Sequence, residues 1–349
     1  MLSLIRSVRA WPSTTQERRA SWLELFFDVG FVAAIAQLSS SLAQDYSTTG
    51  LLRFGFLLFL VWWAWFGQTL YSTRFDAEDG LQRFLVLLQL FAVAAMAANA
   101  KGDLASRDSA GFGAAYGAMR LVLVTQYWRA RRLPDTRSVS TLYAIGFGLA
   151  AVFWILGALL PAPLRFVVWS LALVVDVSTP SLAARLGHSF APDPKHLPER
   201  LGLFTIILLG EFVASVMRGM ERQESWPPAA VAAAFLSLGF AIAIWSIYFD
   251  VLKGAEERDL RQLFDGSLWV RCHAHYGLSL AIVVLGISLE HTVAGLPASV
   301  PHGEEMGILA FSVTLLALSL LLMRATQPVH PFMLPDRPAS DPRPLPAGE

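Results

Sequence analysis

A few ionisable side chains stand inside apolar segments, where they could bind an ion or carry a proton. Glu24 and Asp28 are one helical turn apart, so a helix would place both carboxylates on one face. Glu211 has apolar neighbours on both sides, and burial favours the protonated form of a carboxyl unless a cation lies beside it. Arg120 needs a buried anion beside it, and the candidates are Asp28, Asp176 and Glu211. The sequence predicts Glu211 as a proton carrier, and it equally allows these charges to be structural pairs.

A second set of residues suits metal ligation. His196 and Glu199 stand three residues apart, and imidazole and carboxylate are both common metal ligands. His273 and His275 complete the candidate set, although a helix would direct side chains two residues apart to different sides. The first pair is also typical of a helix start, because Pro198 fits the first turn and an acidic residue there complements the helix dipole. A metal site and a plain helix start are therefore both open interpretations.

These residues must be positioned by membrane-spanning helices. Of the 349 residues, 55% are hydrophobic and only 15% are charged, whereas soluble domains carry about 25% charged residues. A spanning helix needs about 20 mostly apolar residues. Ten segments meet or nearly meet this requirement: residues 22–43, 51–72, 81–100, 110–129, 139–160, 164–183, 201–217, 229–249, 270–290 and 306–323. We predict an all-α polytopic membrane protein with a single transmembrane domain at residues 21–325.

Basic residues indicate the orientation of the helices, because cytoplasmic loops retain Lys and Arg. With ten spans, 20 basic residues fall on the side of the two termini and six fall on the opposite side, while Arg120 lies within a span. We therefore predict that both termini are cytoplasmic. Residues 1–20 are predicted to be a basic arm on anionic lipid, and residues 326–349 a proline-rich disordered tail.

Charge and cysteine content exclude several classes of function. The net charge is zero, which leaves no electrostatic argument for nucleic-acid binding. Cys272 is the single cysteine, so an internal disulfide, a cysteine zinc site and a redox pair are excluded. The predicted partners are the lipid bilayer and a small-molecule or ion substrate. The sequence identifies neither a cofactor nor an oligomeric state.

The predicted topology gives most of the polar residues one location, at the cytoplasmic ends of the spans. Two residues, Glu290 and His291, fall on the opposite side. The cytoplasmic set consists of Glu24, Asp28, Arg74, Asp76, Asp79, Arg83, His196, Glu199, Arg200, Asp250, Arg271, His273 and His275. We predict a cytoplasm-facing polar vestibule that runs down to Arg120, Asp176 and Glu211 and provides a proton or substrate pathway.

Four segments carry a resemblance to a known family. Residues 22–32 read WLELFFDVGFV, residues 196–211 read HLPERLGLFTIILLGE, residues 286–291 read GISLEH, and an RFD triplet stands at residues 74–76. In this order the chain resembles the bacterial low temperature requirement A family over residues 20–325. The resemblance implies an integral protein of the bacterial inner membrane. It implies no substrate, cofactor or catalytic residue.

Hydropathy also suggests a duplication. The seventh, eighth and ninth helices repeat the acidic entry, the tryptophans and the basic start of the first, second and third helices. Six helices separate the copies, so both would have the same orientation, as in transporters with parallel repeats. We predict repeat halves at residues 21–130 and 199–325, joined by the helices of residues 139–183.

Three functions agree with these features. Mid-membrane carboxylates, ten helices and a repeat favour a secondary transporter or proton-coupled carrier. A structural or sensory membrane protein, in which every buried charge is paired, is the first alternative. An intramembrane metal-dependent hydrolase is the second, and it would need ligands from three helices. The sequence predicts the carrier and leaves the enzyme the weakest of the three, since it contains no recognisable nucleophile motif.

Overall fold

The computed structural model describes residues 8–10, 20–76, 79–100, 107–187, 192–193, 196–249, 267–295 and 302–325. The long helices in this part of the chain are α1 (Trp22–Gln44), α2 (Thr48–Ser72), α3 (Gly80–Ala98), α4 (Arg107–Ala130), α5 (Arg137–Ala158), α6 (Ala162–Arg185), α7 (His196–Glu221), α8 (Pro228–Ser246), α9 (Ser267–Ala294) and α10 (His302–Ala325). The predicted all-α fold with ten helices is confirmed. Each helix overlaps one predicted span, and α7 extends beyond its predicted limits at both ends.

Local sequence explains where several helices begin. In a capping box before α1, Oγ of Ser21 accepts from the backbone N–H of Glu24, and the Glu24 carboxylate accepts from the backbone N–H of Ser21. Ser47 caps α2 and Asp79 caps α3 in the same way, with a side-chain oxygen on a backbone N–H of the first turn. Pro161 precedes α6, where its fixed φ angle suits the entry to a helix.

Nine helices in the described residues are long and apolar enough to cross a membrane. α4 is not among them because polar residues such as Arg120 lower its hydropathy, but this side chain is fully buried inside the protein. α4 still runs antiparallel along the whole of α3. Asn99 after α3 lies against Gly111 near the start of α4, and Asp79 before α3 pairs with Arg129 at the end of α4. α4 therefore crosses the bundle as its neighbours do.

The helices alternate in direction, so the odd-numbered ones begin at one end of the bundle, which we call the first end. There the starts of α1 and α7 meet through Glu24 and His196, whose side chains lie 3.2 Å apart. At the opposite, second end, the backbone N–H of Thr48 at the start of α2 donates to Glu304 at the start of α10. Because the helices alternate in direction, the last described residue of α10 lies at the first end, at the same height along the bundle as the start of α1.

Burial divides the helices into an inner and an outer group. In the most apolar stretch of each helix, 78% of the residues are buried in α9 and 67% in α2, against 28% in α6, α8 and α10. The outer helices expose large apolar side chains such as Val167, Leu171 and Val174 of α6. Soluble proteins rarely expose continuous apolar surfaces of this kind to water. The outer face of the bundle therefore contacts the lipid bilayer.

Close approach of backbones holds the inner helices together, as expected where lipid removes the hydrophobic drive between helices. A Cβ atom at Gly286 of α9 would lie 3.0 Å from Cα of Phe212 in α7. One at Gly219 of α7 would lie 2.7 Å from the carbonyl oxygen of Glu290 in α9. Glycine at these two positions thus sets the distance between α7 and α9.

Helix contacts are compatible with the predicted duplication. α1 packs on α2 and α3, and α3 packs on α4; in the second half, α7 packs on α8 and α9, and α9 packs on α10. Because shared neighbours alone do not establish equivalent geometry, the repeat stays a prediction, as do the domain limits that depend on it.

A short part of the predicted N-terminal arm contacts the protein. The strand β1 (Arg9–Ala10) pairs antiparallel with β2 (Phe75–Asp76) in the connection between α2 and α3. Val8 is buried in the same cluster as Tyr71 and Phe75. The rest of the arm except Ala20, the candidate residue Asp250 and the predicted tail lie outside the described residues.

Candidate functional site

A cavity of about 670 Å³ opens at the first end between the starts of α1 and α3 and the end of α2. Its polar wall residues are Glu24, Gln68, Tyr71, Ser72, Gln82, Arg83 and Arg200, and its apolar wall residues are Leu23, Phe26, Phe27, Phe75, Val86 and the exposed Trp22. Ligand sites commonly combine this size with a mainly apolar wall and a few polar groups. We call it the first-end cavity.

His196 lies beside this cavity between two carboxylates. Its Nε2 is 3.2 Å from Oε1 of Glu24, and its Nδ1 is 3.0 Å from Oε2 of Glu199. Oδ1 of Asp193 accepts from the backbone N–H of His196, which orders the start of α7. Both ring nitrogens face carboxylate oxygens, and an imidazole donates on both sides only when it carries two protons. Glu24, His196 and Glu199 therefore form one carboxylate–imidazole–carboxylate group beside the cavity.

Arg200 stands one turn further along α7 and connects the cavity to the buried carboxylate of α1. Its Nη2 donates to Oδ1 of Asp28 at 2.9 Å, and Nε1 of Trp65 donates to the same oxygen at 2.8 Å. Arg200 and Asp28 are both buried. Asp28, a predicted candidate partner of Arg120, thus pairs with Arg200 instead, a residue of the first-end cavity wall.

The connection between α2 and α3 is ordered by contacts to α4. Oδ1 of Asp79 accepts from the backbone N–H of Gln82, and its Oδ2 accepts from Arg129 at 2.6 Å. Arg74 donates to the hydroxyl of Tyr127. Asp76 lies in β2, and Arg83 is exposed at the cavity wall. The described residues of this connection are therefore joined to α4 next to the cavity.

Three buried glutamines, which the sequence analysis missed, lie below the cavity. Nε2 of Gln89 donates to Oε1 of Gln68 at 3.0 Å and to Oε1 of Gln126 at 3.4 Å. They come from α2, α3 and α4, and all three are buried. Amides in apolar spans are a usable signal because such groups tend to bond across helices. Gln68 also lines the cavity, so the glutamines extend its polar wall inward.

Arg120 pairs with Asp176, one of its three predicted partners. Nε of Arg120 donates to Oδ2 of Asp176 at 2.9 Å, and neither side chain has any exposed surface. The hydroxyl of Tyr116 donates to the same oxygen, and Nη2 of Arg120 bonds this hydroxyl and the carbonyl oxygen of Trp63. The arrangement links α2, α4 and α6 in the middle of the bundle. It has the features of a structural pair.

Glu211 does not belong to the first-end cavity. Its Oε1 accepts from Nη2 of Arg218 at 2.8 Å, and Arg218 also contacts Glu290 at 3.2 Å. Arg222 completes the network 2.9 Å from Glu290. The cation beside Glu211 therefore comes from Arg218, two turns along the same helix. The predicted continuous vestibule is corrected accordingly: Glu211 is in a second-end network, and Arg120 and Asp176 form a separate pair.

His291 joins the second end through a different contact. Its ring stacks on Tyr46 with centroids 4.6 Å apart, and the Tyr46 hydroxyl is 2.5 Å from Oγ of Ser288. Tyr46 lies in the turn between α1 and α2, so this contact ties that turn to α9. Glu290 and His291 thus lie opposite the first end, as the topology predicts.

The predicted metal ligands do not converge. Nδ1 of His275 accepts from Nε1 of Trp62 at 3.3 Å, and its Nε2 lies 3.2 Å from the carbonyl oxygen of Leu201. His275 is fully buried, whereas His273 is partly exposed on α9. Within the described ranges, no group of three or more His, Cys, Asp or Glu side chains could hold a metal ion. In the described residues His196 bonds Glu199 and Glu24, and His275 is a bonded core residue, so the metal interpretation of His196, Glu199, His273 and His275 gains no support from these contacts.

The amino-acid sequence is similar to a protein family and to a known protein. Residues 19–334 match the model of a family described as "Bacterial low temperature requirement A protein (LtrA)". A protein of Rhizobium meliloti (strain 1021), described as "Uncharacterized protein RA0937", is 28% identical over 323 residues, which cover 89% of this chain and 77% of that protein. No solved structure matches the chain.

Proposed function

Because this chain belongs to the bacterial low temperature requirement A family of membrane proteins, we propose that it is a carrier that moves a small polar solute across the membrane. The observation that carries the proposal is the first-end cavity, which is large enough for a small organic molecule and has Arg200 and Glu24 in its wall. Charged groups within membrane proteins are typical of substrate and ion pathways.

The second-end network supports a carrier that is open at one end only. Arg218 and Arg222 join α7 to Glu290 of α9, and Glu211 adds a second carboxylate to the same network. Tyr46 adds the turn before α2. Transporters expose a central site to one side at a time. We assign the network to closure of the second end while the first end is open.

The proposed carrier lies in the bacterial inner membrane with its first end in the cytoplasm. Both predicted termini are on this side, which holds 20 basic residues against six on the other. Cytoplasmic loops retain basic residues. The cavity would then receive its solute from the cytoplasm or release it there.

We assign proton coupling to Glu24, His196 and Glu199 and no longer to Glu211. Glu24 belongs both to this group and to the cavity wall, so the charge of the group and the binding of solute affect each other. Replacement of His196 by Gln keeps a side chain that can form hydrogen bonds but cannot take up a proton as imidazole does. If the assignment is right, the pH dependence of transport is lost in H196Q while transport itself persists.

Transport into proteoliposomes tests the carrier proposal directly. Three impermeant solutes with the same six-carbon chain cover the charge classes: hexanesulfonate (an anion), 6-aminohexanoate (a zwitterion) and hexyltrimethylammonium (a cation). Saturable entry of at least one of them is expected, and it should be lost in Ser72→Trp, which fills the cavity. Ser170→Trp on the exposed face of α6 is the matched control and should transport normally. Entry no faster than into protein-free vesicles for all three solutes would refute the proposal.

A structural or sensory role is the second candidate, and one observation favours it. The deepest charges are paired: Arg120 with Asp176, and Glu211 with Arg218. Pairs of this kind hold helices together without any solute. This candidate predicts no transport of the three probes, and it predicts that Ser72→Trp leaves growth in the cold unchanged.

A further inference from the structure

The wall of the first-end cavity is unbalanced in its hydrogen-bonding groups. Nε and Nη1 of Arg200 and the hydroxyl of Tyr71 are buried and have no hydrogen-bond partner among the described residues. Both residues line the cavity, although they come from different helices, α7 and α2. A buried donor without a partner is unfavourable, so these groups would gain from an acceptor.

The acceptors at the same wall are already in use. The Glu24 carboxylate receives the backbone N–H of Ser21 on one oxygen and faces His196 with the other. The side-chain carbonyls of Gln68 and Gln82 accept from Gln89 and Arg129. What the two glutamines have left to offer a ligand is their amide N–H groups.

The charged groups of the cavity wall also favour an anionic ligand. Arg83 adds a further guanidinium at the exposed part of the wall. Oδ2 of Asp28 also lacks a partner, but Asp28 does not line the cavity. The wall therefore offers a ligand the guanidinium groups of Arg83 and Arg200 and the hydroxyl of Tyr71, and the one carboxylate among its described residues, Glu24, already faces Ser21 and His196.

We propose that the first-end cavity binds an organic oxyanion, with its charged group on Arg200 and Tyr71 and its apolar body against Phe27, Phe75 and Val86. A guanidinium and a phenol hydroxyl are strong donors to carboxylate, sulfonate and phosphate oxygens. The apolar part of the wall favours an organic anion over a small inorganic one. This inference rests on the proposed function only for its transport consequence, because binding at the cavity does not require transport.

The anion could be a free organic acid or the headgroup of an anionic lipid, since Trp22 of the wall is 88% exposed on the outer face of α1. Both present the same chemistry to Arg200. Dihexanoyl phosphatidylglycerol represents the lipid and hexanesulfonate the free acid. Tighter binding of the first assigns the site to lipid, and tighter binding of the second assigns it to a soluble acid; each supports the oxyanion.

Calorimetric titration of the full-length protein in detergent tests the inference. Hexanesulfonate is expected to bind, while hexanol and hexylammonium, which carry the same apolar body, are expected to bind at least tenfold more weakly. Tyr71→Phe removes one hydroxyl and should weaken hexanesulfonate binding by about tenfold, the effect of a hydrogen bond to a charged group. Tyr276→Phe is the matched control, because this hydroxyl donates to the carbonyl oxygen of Gly55, away from the cavity.

Arg200→Lys provides the second variant, since it keeps a cation beside Asp28 and removes the unpartnered guanidinium donors. It should also weaken hexanesulfonate binding about tenfold or more; if it does not fold, Tyr71→Phe decides alone. Equal binding of hexanol or hexylammonium, or unchanged affinity in Tyr71→Phe, would overturn the inference. Binding of hexanesulfonate, together with no saturable entry of any of the three solutes, would leave the oxyanion site standing and refute the carrier. Saturable transport of hexyltrimethylammonium, with no binding of hexanesulfonate, would support the carrier and refute the oxyanion site.

Discussion

The pair of Arg120 and Asp176 allows a quantitative prediction, because it is buried completely and lies 2.9 Å apart. Asp176→Ala leaves a guanidinium in the middle of the bundle without its carboxylate. It also removes the acceptor of the Tyr116 hydroxyl. Breaking a buried pair in this way typically costs about 3–5 kcal/mol. We expect the free energy of unfolding of Asp176→Ala to fall by about that amount.

Removing both charges together should cost far less. Replacement of a buried ion pair by apolar residues of similar volume is often neutral or stabilising. Here the pair is imperfect, since Oδ1 of Asp176 and Nη1 of Arg120 have no partner among the described residues. In Arg120→Met with Asp176→Leu, the remaining cost is the unpartnered Tyr116 hydroxyl, about 1–3 kcal/mol. Adding Tyr116→Phe should remove most of it.

Equilibrium unfolding in mixed micelles of dodecylmaltoside and sodium dodecyl sulfate, followed by tryptophan fluorescence, measures these differences. Arg53→Met is the matched control, because Arg53 and Asp45 form a partly exposed pair at 3.4 Å that is worth at most about 1 kcal/mol. The reasoning is refuted if the double variant is as unstable as Asp176→Ala. It is also refuted if Asp176→Ala costs no more than Arg53→Met.

Three further predictions use other parts of the molecule. Gly67→Ala should destabilise the protein by about 1–3 kcal/mol in the same assay although alanine favours helices, because its Cβ would lie 2.6 Å from Nη1 of Arg120. His275→Leu should cost a similar amount, since it leaves the buried indole N–H of Trp62 unpaired. Elemental analysis should show the same metal content as for the natural protein. Burial, partly offset by the hydrogen bond to a serine, raises the pKa of Tyr46 above its ordinary value of 10. The contribution of Tyr46 to stability is therefore complete below pH 10 and is lost as the pH rises further. Tyr46→Phe should flatten that part of the plot of stability against pH, and an unchanged slope would contradict the assignment.

The sequence was sufficient for the helices because the apolar segments in it are long and their ends carry helix signals such as Ser21 and Asp79. The basic residues at the helix ends predict which side of the membrane each end faces, and that orientation stays a prediction. α4 shows the limit of hydropathy, because its polar side chains face α2, α3 and α6 and reduce its apparent apolarity without exposing it to water.

Pairing could not be read from the sequence. Arg120 had three candidate partners, and only the packing of α4 against α6 selects Asp176. Glu211 appeared isolated because its apolar neighbours along the chain hide a cation seven residues away, which the helix brings to the same face. The buried glutamines were missed because an uncharged amide does not stand out by composition.

The two ends of the bundle differ in what a ligand could add. At the second end, Arg218 and Arg222 already face two carboxylates, so an anion would have to displace Glu211 or Glu290. At the first end, Arg200 has donors to spare, and an anion there would complete contacts without breaking any. A molecule that binds the folded protein stabilises it by an amount that grows with the logarithm of its concentration divided by its Kd. Stabilisation by an oxyanion should therefore depend on the first end alone, which is the property that separates a binding site from a structural set of charges.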